Sequence, residues 1–227
     1  MTVVSRAARR IEQQRKRRPF CLPSVTKTAV FAWRTGARNV LVGRRFRIIN
    51  QGTLHLQRDS SLRFGTTFYG FLDGRERGLI RNRGVLVFAG SVCVSGGGRF
   101  YIEPDAIVTI GTDTYFSPNV LLVACERISV GENCAVGWDV QLLDADYHAH
   151  GSANALADLP PATTFTAPIE IGHHVWIGSG AKIYKGVKIA DGCIVAGNSV
   201  VTRSVMEVGS LVAGNPARIV KTGVVWE

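Results

Sequence analysis

The sequence lacks a long apolar stretch and any cysteine pattern that would build a disulfide framework or a zinc knuckle. Its longest apolar runs, such as residues 120–125, have the length of a β-strand and fall well short of the roughly 20 residues of a membrane-spanning helix. Its five cysteines are an odd number and include no CxxC pair. The first ten residues carry arginines in place of the apolar core of a secretory signal, so we expect a reduced, cytoplasmic protein.

Acidic residues are almost absent from the first 47 positions. These positions hold 13 of the 27 Lys and Arg residues but only Glu12 of the 17 acids, a net charge of +12, whereas the rest of the chain has a net charge of −2. Residues 5–18 contain no Gly or Pro and favour a helix, which Pro19 and Pro23 end. This basic arm is either a frayed terminus or an electrostatic contact with anionic lipid or a polyanionic substrate. We expect no nucleic-acid partner, because no aromatic residues interleave the charges.

A six-residue repeat dominates the C-terminal third of the chain. Aliphatic residues return at every sixth position, and a small or β-branched residue follows four places after each. The two series are Ile171, Ile177, Ile183, Ile189, Val195 and Val201, and Val175, Ala181, Val187, Cys193, Ser199 and Val205. A period of six does not fit the 3.6 residues per turn of a helix, but it fits short strands whose alternate side chains share a face. Three such strands make an 18-residue triangular coil, so the repeat predicts an all-β solenoid.

The repeat continues upstream with a shifted phase. Further coils are indicated by Val130, Val136 and Leu142 and by Ile110, Phe116 and Leu122. A two-residue slip between these coils predicts a bulge at residues 125–127, and the looser alternation over residues 46–101 predicts irregular early coils. We therefore divide the chain into a partly helical basic arm at 1–45, a solenoid domain at 46–215 and a tail at 216–227.

The repeat resembles the left-handed parallel β-helix of the hexapeptide-repeat acyltransferases. The resemblance is carried by residues 175–179 (Val-Trp-Ile-Gly-Ser), 196–203 (Ala-Gly-Asn-Ser-Val-Val-Thr-Arg) and 213–218 (Ala-Gly-Asn-Pro-Ala-Arg). It implies a left-handed coil, which ordinary crossover rules would not predict. It also implies an acetyl-CoA-dependent acyltransferase that forms a homotrimer with active sites between neighbouring subunits.

One long stretch, residues 143–168, interrupts the repeat and is predicted to form an extruded loop. Loops of this length are uncommon unless they are functional. The resemblance implies a catalytic histidine here, and His148 matches it, with Asp144 and Asp146 expected either to orient its imidazole, to bind a sugar hydroxyl or to cap the loop. A neutral imidazole can take the proton of an attacking hydroxyl and return it to a leaving thiolate, so no cysteine nucleophile is needed.

The resemblance also implies contacts to both substrates. The expected acetyl-CoA contacts are Ser179, Gly197, Thr202, Arg203, Arg218 and Lys221, of which the cationic ones suit the nucleotide phosphates. The expected acceptor-site residues are Asn119, Trp138 and His150, with a turn, packing between subunits and simple exposure as their respective alternatives. No metal is expected, because the pairs His148/His150 and His173/His174 do not give the three-histidine spacing of a zinc hydrolase.

The function implied by the resemblance is transfer of an acetyl group from acetyl-CoA to a sugar hydroxyl of a polysaccharide or glycan precursor, with His148 as general base. In that setting the basic arm would contact anionic membrane or a lipid-linked glycan at the inner face of the membrane. Two alternatives stay open: another small acceptor, such as a nucleotide amino sugar or an antibiotic, and a non-catalytic β-helix scaffold.

Overall fold

The computed structural model describes residues 23–66, 76–148 and 165–227, which form a three-sided stack of short strands capped by a helix. Within these ranges no helix has the length and apolar character needed to cross a membrane. The helix, α1, spans Val25–Thr35. The strands of the first face are β1 (Asn39–Val42), β4 (Ser61–Phe64), β7 (Val92–Val94), β10 (Thr114–Phe116), β13 (Ala135–Val136), β18 (Trp176–Ile177), β21 (Ile194–Val195), β23 (Leu211–Gly214) and β24 (Ala217–Lys221).

The other two faces are built in the same way. The strands of the second face are β2 (Phe46–Asn50), β5 (Gly78–Asn82), β8 (Arg99–Ile102), β11 (Leu121–Ala124), β14 (Gln141–Leu143), β19 (Lys182–Tyr184) and β22 (Val200–Val201). The strands of the third face are β3 (Thr53–Leu56), β6 (Val85–Phe88), β9 (Ile107–Ile110), β12 (Arg127–Val130), β17 (Ile169–Ile171) and β20 (Lys188–Ile189). A separate pair, β15 (Ala145–Asp146) and β16 (Phe165–Thr166), lies outside the three faces.

The order of the strands is that of a parallel β-helix. Successive strands occupy the first, second and third faces in turn, and each pairs in parallel with the strand one coil away. Only β24, among the strands of the three faces in the described residues, runs antiparallel to its neighbour, β23. The predicted solenoid of hexapeptide repeats is confirmed. We call the corner between the first and second faces the first edge, and the corner between the second and third faces the second edge.

The register between coils shows where the repeat is regular. Trp176 pairs with Ile194, an offset of 18 residues, which confirms the predicted coil length for the C-terminal coils. Tyr115 pairs with Ala135, an offset of 20 residues, so the phase slip in the sequence corresponds to a coil two residues longer. Ala135 pairs in turn with Trp176, 41 residues on, because the loop leaves the coil and returns without disturbing the stacking.

The interior of the prism is filled by the repeat positions. Every member of the two six-residue series is buried, with no more than 5% of its surface exposed. At the N-terminal end the filling is aromatic: the rings of Phe46 and Phe64 lie 5.8 Å apart, and those of Phe64 and Phe88 lie 5.6 Å apart. Burial of each such side chain stabilises the fold by about 1.5–3 kcal/mol.

Helix α1 caps the N-terminal end of the prism. The Ser24 side chain accepts the N–H of Lys27 at its start, and Gly36 ends it in the left-handed conformation at φ 71°. Phe31 packs edge-on against Phe64, with ring centroids 5.7 Å apart. The predicted helix at 5–18 lies outside the described residues, and α1 lies in a part of the arm for which the sequence predicted no helix.

The predicted boundary between arm and solenoid at residues 45/46 is wrong. Strand β1 begins at Asn39 and pairs with β4, so the first coil starts within the range assigned to the arm. Its alternating pattern, with Val40 and Val42 buried, is the signal of a half-buried strand that the basic composition of the region obscured.

Candidate active site

The long loop leaves the solenoid at the second edge, between β14 and β17. Its two ends form the antiparallel strand pair β15–β16, which makes a neck. Ala167, where the loop returns, donates its backbone N–H to the Asp144 carbonyl at 3.0 Å and accepts the N–H of Gly186 at 3.1 Å. The neck is therefore fixed to the next coil, while residues 149–164 lie outside the described residues.

Asp144 is fully buried at the base of this neck, and its carboxylate serves the neighbouring corner of the prism. One oxygen accepts the backbone N–H of Cys125 at 2.7 Å, and the other accepts those of Glu126 and Arg127 at 2.9 and 2.8 Å. Burial raises the pKa of Asp144, and the three N–H donors offset part of that effect. The carboxylate thus stabilises the bulge predicted at residues 125–127. Of the three roles expected for Asp144, this contact corresponds to capping.

Asp146 lies in β15 and forms an ion pair with a lysine on the next coil. Its carboxylate is 2.8 Å from the Lys185 ammonium, and both side chains are about one-third exposed or less. The same ammonium lies 5.5 Å from the centre of the Phe165 ring on the opposite strand of the neck. Lys185 therefore contacts both strands of the neck, through an ion pair on one and a cation–π contact on the other.

His148 is the last residue that the structure describes before the loop returns at residue 165, and its side chain is exposed. Tyr147 precedes it, with its hydroxyl 3.9 Å from the Cys125 sulfur. Partial burial and the neighbouring thiol raise the pKa of Tyr147 to about 12, so its hydroxyl remains a hydrogen-bond donor at neutral pH. The other predicted loop residue, His150, lies outside the described residues.

The cysteines near the site are poor nucleophiles. Burial raises the pKa of the Cys125, Cys134 and Cys193 thiols, and the thiolate is the reactive form. The described residues contain no group of three His, Cys, Asp or Glu side chains placed to hold a metal ion.

Two of the predicted acetyl-CoA contacts, Ser179 and Gly197, lie on consecutive coils of the first edge. The Ser179 hydroxyl accepts the backbone N–H of Trp138 at 3.2 Å, and its carbonyl accepts that of Asn198 at 2.9 Å. The coils approach so closely here that a Cβ on Gly178 would lie 2.6 Å from the Gly197 nitrogen. Both predicted residues are exposed, so this edge offers backbone groups to a ligand lying along it.

Two predicted acceptor residues, Asn119 and Trp138, also lie on the first edge, on consecutive coils. Asn119 has a left-handed backbone at φ 63°, and its backbone N–H donates to the Gly96 carbonyl at 3.1 Å. This is the geometry of a turn residue, which was the alternative to substrate binding, and its side chain is half-buried.

The remaining predicted acetyl-CoA contacts lie elsewhere on the surface. Thr202 and Arg203 are exposed on the second edge, two coils beyond the point where the loop leaves. Arg218 and Lys221 are exposed on β24, whose Arg218 pairs with Ala213 at the first-edge end of β23.

The structure thus distributes the predicted site over two edges of one chain. Asn119, Trp138, Ser179 and Gly197 lie on the first edge, whereas His148, Thr202 and Arg203 belong to the second. The second face separates them: the five residue steps from Asp139 to Asp144 correspond to about 16 Å of extended chain.

Two residues at the neck, Lys185 and Tyr147, make contacts that the sequence does not predict. Lys185 is one of several lysines on its coil, and Tyr147 is one of the two residues between Asp146 and the loop tip that the structure describes. Their partners, Asp146 and Cys125, are 39 and 22 positions away, and no sequence pattern predicts those pairings.

Comparison with known proteins identifies similar chains. A family model described as "Bacterial transferase hexapeptide (six repeats)" matches residues 168–203. An uncharacterized 24.8 kDa protein in the cps region of Klebsiella pneumoniae is 32% identical over 190 residues, which cover 84% of this chain and 82% of that protein. The putative lipopolysaccharide biosynthesis O-acetyl transferase WbbJ of Escherichia coli (strain K12) is 29% identical over 149 residues, 63% of this chain and 74% of WbbJ.

A solved structure has the same fold. The crystal structure of the polySia specific acetyltransferase NeuO matches with a TM-score of 0.52 at 21% identity, and the match covers 81% of this chain and 89% of NeuO. The β-helix therefore extends over most of both chains.

Proposed function

The chain belongs to the hexapeptide-repeat acyltransferase family, and on that premise we propose that it transfers an acetyl group from acetyl-CoA to a sugar hydroxyl of a polysaccharide or glycan precursor. The observation that carries the proposal is the loop that leaves the solenoid between β14 and β17, with exposed His148 following a neck that the coil holds in place. The similarity of the chain to WbbJ, which is named as a putative O-acetyl transferase of lipopolysaccharide biosynthesis, supports a carbohydrate acceptor.

His148 acts as general base in this proposal. Its imidazole accepts the proton of the sugar hydroxyl as that oxygen attacks the thioester carbonyl, and it returns the proton to the departing CoA thiolate. We expect the acetyl group to pass directly to the sugar oxygen, because the raised pKa values of Cys125, Cys134 and Cys193 disfavour the thiolate that a covalent intermediate needs. Imidazole suits both proton transfers because its ordinary pKa lies near neutral pH.

Lys185 and Tyr147 are the residues that we expect to support His148. Lys185 contacts both strands of the neck and so limits the position of the next residues along the chain. Tyr147 keeps its proton at neutral pH and can donate it in a hydrogen bond to a sugar oxygen. Asp144 supports the same region from below by holding the adjacent corner.

The exposed cationic residues of the C-terminal coils fit the acyl donor. Arg203, Arg218 and Lys221 are exposed and carry the charge that nucleotide phosphates need. On the first edge, the exposed residues Ser179 and Gly197 offer backbone groups to an extended pantetheine chain. When bound there, acetyl-CoA supplies the activated acetyl group.

The separation of the two edges supports the proposed homotrimer. Within one chain, the width of the second face separates His148 from Ser179 and Gly197. A second chain would therefore have to bring its first edge against the loop to complete one site. Cytoplasmic location likewise remains a prediction.

The proposal is tested by two measurements on the intact chain. Acetyl-CoA at about 100 times its Kd should raise the unfolding free energy by about 2.7 kcal/mol, which corresponds to roughly 5–10 °C in the melting temperature. Thiol release from acetyl-CoA should then appear with glycans in a panel that also contains nucleotide amino sugars and aminoglycosides. Release with only the latter acceptors would favour the small-acceptor alternative, and the absence of both a thermal shift and thiol release would favour the scaffold.

A further inference from the structure

Helix α1 presents an apolar face to solvent. Val25 is 84% exposed, Trp33 is 83% exposed and Val30 is 45% exposed. Val25 and Trp33 are eight residues apart, and Ala29, also exposed, lies between them at the same helical spacing, so the three share one stripe. An exposed tryptophan on such a stripe is unusual for a helix that packs on a protein core.

The opposite face of α1, which contacts the first coil, carries polar side chains that bind the backbone of that coil. The Lys27 ammonium donates to the carbonyls of Arg44 and Phe46 at 2.6 and 3.0 Å, and the Thr28 hydroxyl accepts the backbone N–H of Val42 at 3.0 Å. These polar side chains satisfy part of the open backbone edge of the first coil, which pairs with no preceding strand in the part of the chain that the structure describes. The inward face thus carries Lys27 and Thr28 beside Phe31, which packs on Phe64, and the apolar side chains of the outer face are left exposed.

A groove of about 750 Å³ lies beside the helix, between α1 and the strands β2 and β3. Its apolar lining includes Phe31, Ile48 and Leu54, and its charged lining residues are all basic, among them Arg34 and Arg47. No Asp or Glu occurs among the described residues that line it.

Positive charge predominates around this end of the prism. Residues 23–47, which contain α1 and β1, hold six Lys and Arg residues and no Asp or Glu. A surface that combines an exposed tryptophan, aliphatic side chains and a surplus of basic residues is complementary to anionic lipid, whose headgroups attract the charge and whose acyl boundary accepts the apolar stripe.

We propose that this end of the solenoid, formed by the outer face of α1 (Val25, Ala29, Val30 and Trp33) and the adjoining basic groove, docks onto an anionic phospholipid bilayer. Trp33 and Val25 enter the interfacial region, and Arg34 and Arg47 face the phosphate headgroups. The docking deepens the proposed function by naming a partner, but it does not depend on the acyl acceptor.

One consequence does rest on the proposed function. The loop leaves the prism at the fifth coil, four strand spacings from the first, or about 20 Å along the axis. With the outer face of α1 on the membrane, the helix adds about 10 Å, so the base of the loop stands about 30 Å above the surface. The arrangement suits the sugar chain of a lipid-linked glycan better than a lipid headgroup.

Co-sedimentation of the full chain with vesicles tests the docking. We expect binding to vesicles in which phosphatidylglycerol is about one third of the phosphatidylcholine-based lipid, little binding to phosphatidylcholine alone, and weakening as salt is added. The double variant Val25→Ser/Trp33→Ser should lower the partition coefficient at least about tenfold, whereas Trp33→Tyr should retain most of it. The matched control, Met206→Ser/Val208→Ser, replaces residues 67% and 66% exposed on a late coil and should bind like the unmodified chain.

Three results would overturn the proposal. Equal binding to both vesicle types would remove the role of anionic lipid, and unchanged binding of the Val25→Ser/Trp33→Ser variant would assign the contact to the basic residues alone. A change in the native mass of that variant with no change in vesicle binding would make the face an interface between copies. Because no readout uses catalysis, failure here is distinguishable from failure of the proposed acetyl transfer.

Discussion

Replacing Asp144 by asparagine removes one negative charge and turns one acceptor oxygen into an NH₂ donor at a fully buried site. Three backbone N–H groups, from Cys125, Glu126 and Arg127, converge on the native carboxylate within 2.9 Å. In either orientation the asparagine amide leaves at least one of them facing another donor. We therefore expect D144N to destabilise the corner that the carboxylate holds.

The magnitude follows from the hydrogen bonds. A hydrogen bond to a charged group contributes about 1.5–3 kcal/mol, and a buried N–H without an acceptor costs about 1–3 kcal/mol. Removing the charge recovers part of its desolvation cost, the effect that raises the pKa of Asp144. The net loss should be about 2 kcal/mol of unfolding free energy, which lowers the melting temperature of a chain of this size by about 4–8 °C.

Thermal unfolding followed by circular dichroism measures this loss, with Asp113→Asn as matched control. Asp113 is exposed at a different corner and has a left-handed backbone, φ 55°, which asparagine also adopts, so the melting temperature of the Asp113→Asn variant should stay within about 1 °C of the unmodified chain's. Below both melting temperatures, D144N should keep turnover within about tenfold of the unmodified chain. An unchanged melting temperature together with lost turnover would refute the structural role and return Asp144 to catalysis.

Two further predictions concern the neck and the cysteines. Lys185→Met breaks the contacts to Asp146 and Phe165 and should lower kcat about three- to tenfold with little change in acetyl-CoA affinity, whereas Lys185→Arg should retain activity. Lys188→Met, which breaks the ion pair to Glu170 away from the neck, is the control; equal losses in both variants would contradict a positioning role. Cys125→Ser should keep turnover within about twofold, since the raised pKa of that thiol leaves little thiolate, and a loss of about 10²-fold would indicate a covalent intermediate.

The solenoid could be predicted from the sequence because its signal is periodic. Ile171 and the residues that follow at every sixth position are all interior, and no tertiary information was needed to place them. Strand β1 was not predicted because basic residues surround Val40 and Val42, and the composition of that region indicated an arm. The left-handed sense was implied by the resemblance rather than by the residues.

The site was less predictable because its contacts join residues that are distant in sequence. The loop and His148 stand out as a break in the repeat. In contrast, the partner of Asp146 is Lys185 on the next coil, and the partners of Asp144 are backbone N–H groups of the preceding coil, which carry no side-chain signature. Residue type identifies both carboxylates as candidates for catalysis, but only the stacking of coils shows what they bind.

The central claim, that His148 is the general base of an acetyl transfer, is tested most directly by comparing His148→Ala with the unmodified chain. Thiol release with an acceptor glycan should fall by at least about 10²-fold, while the thermal shift given by acetyl-CoA should be retained. Unchanged turnover in the His148→Ala variant would contradict the account.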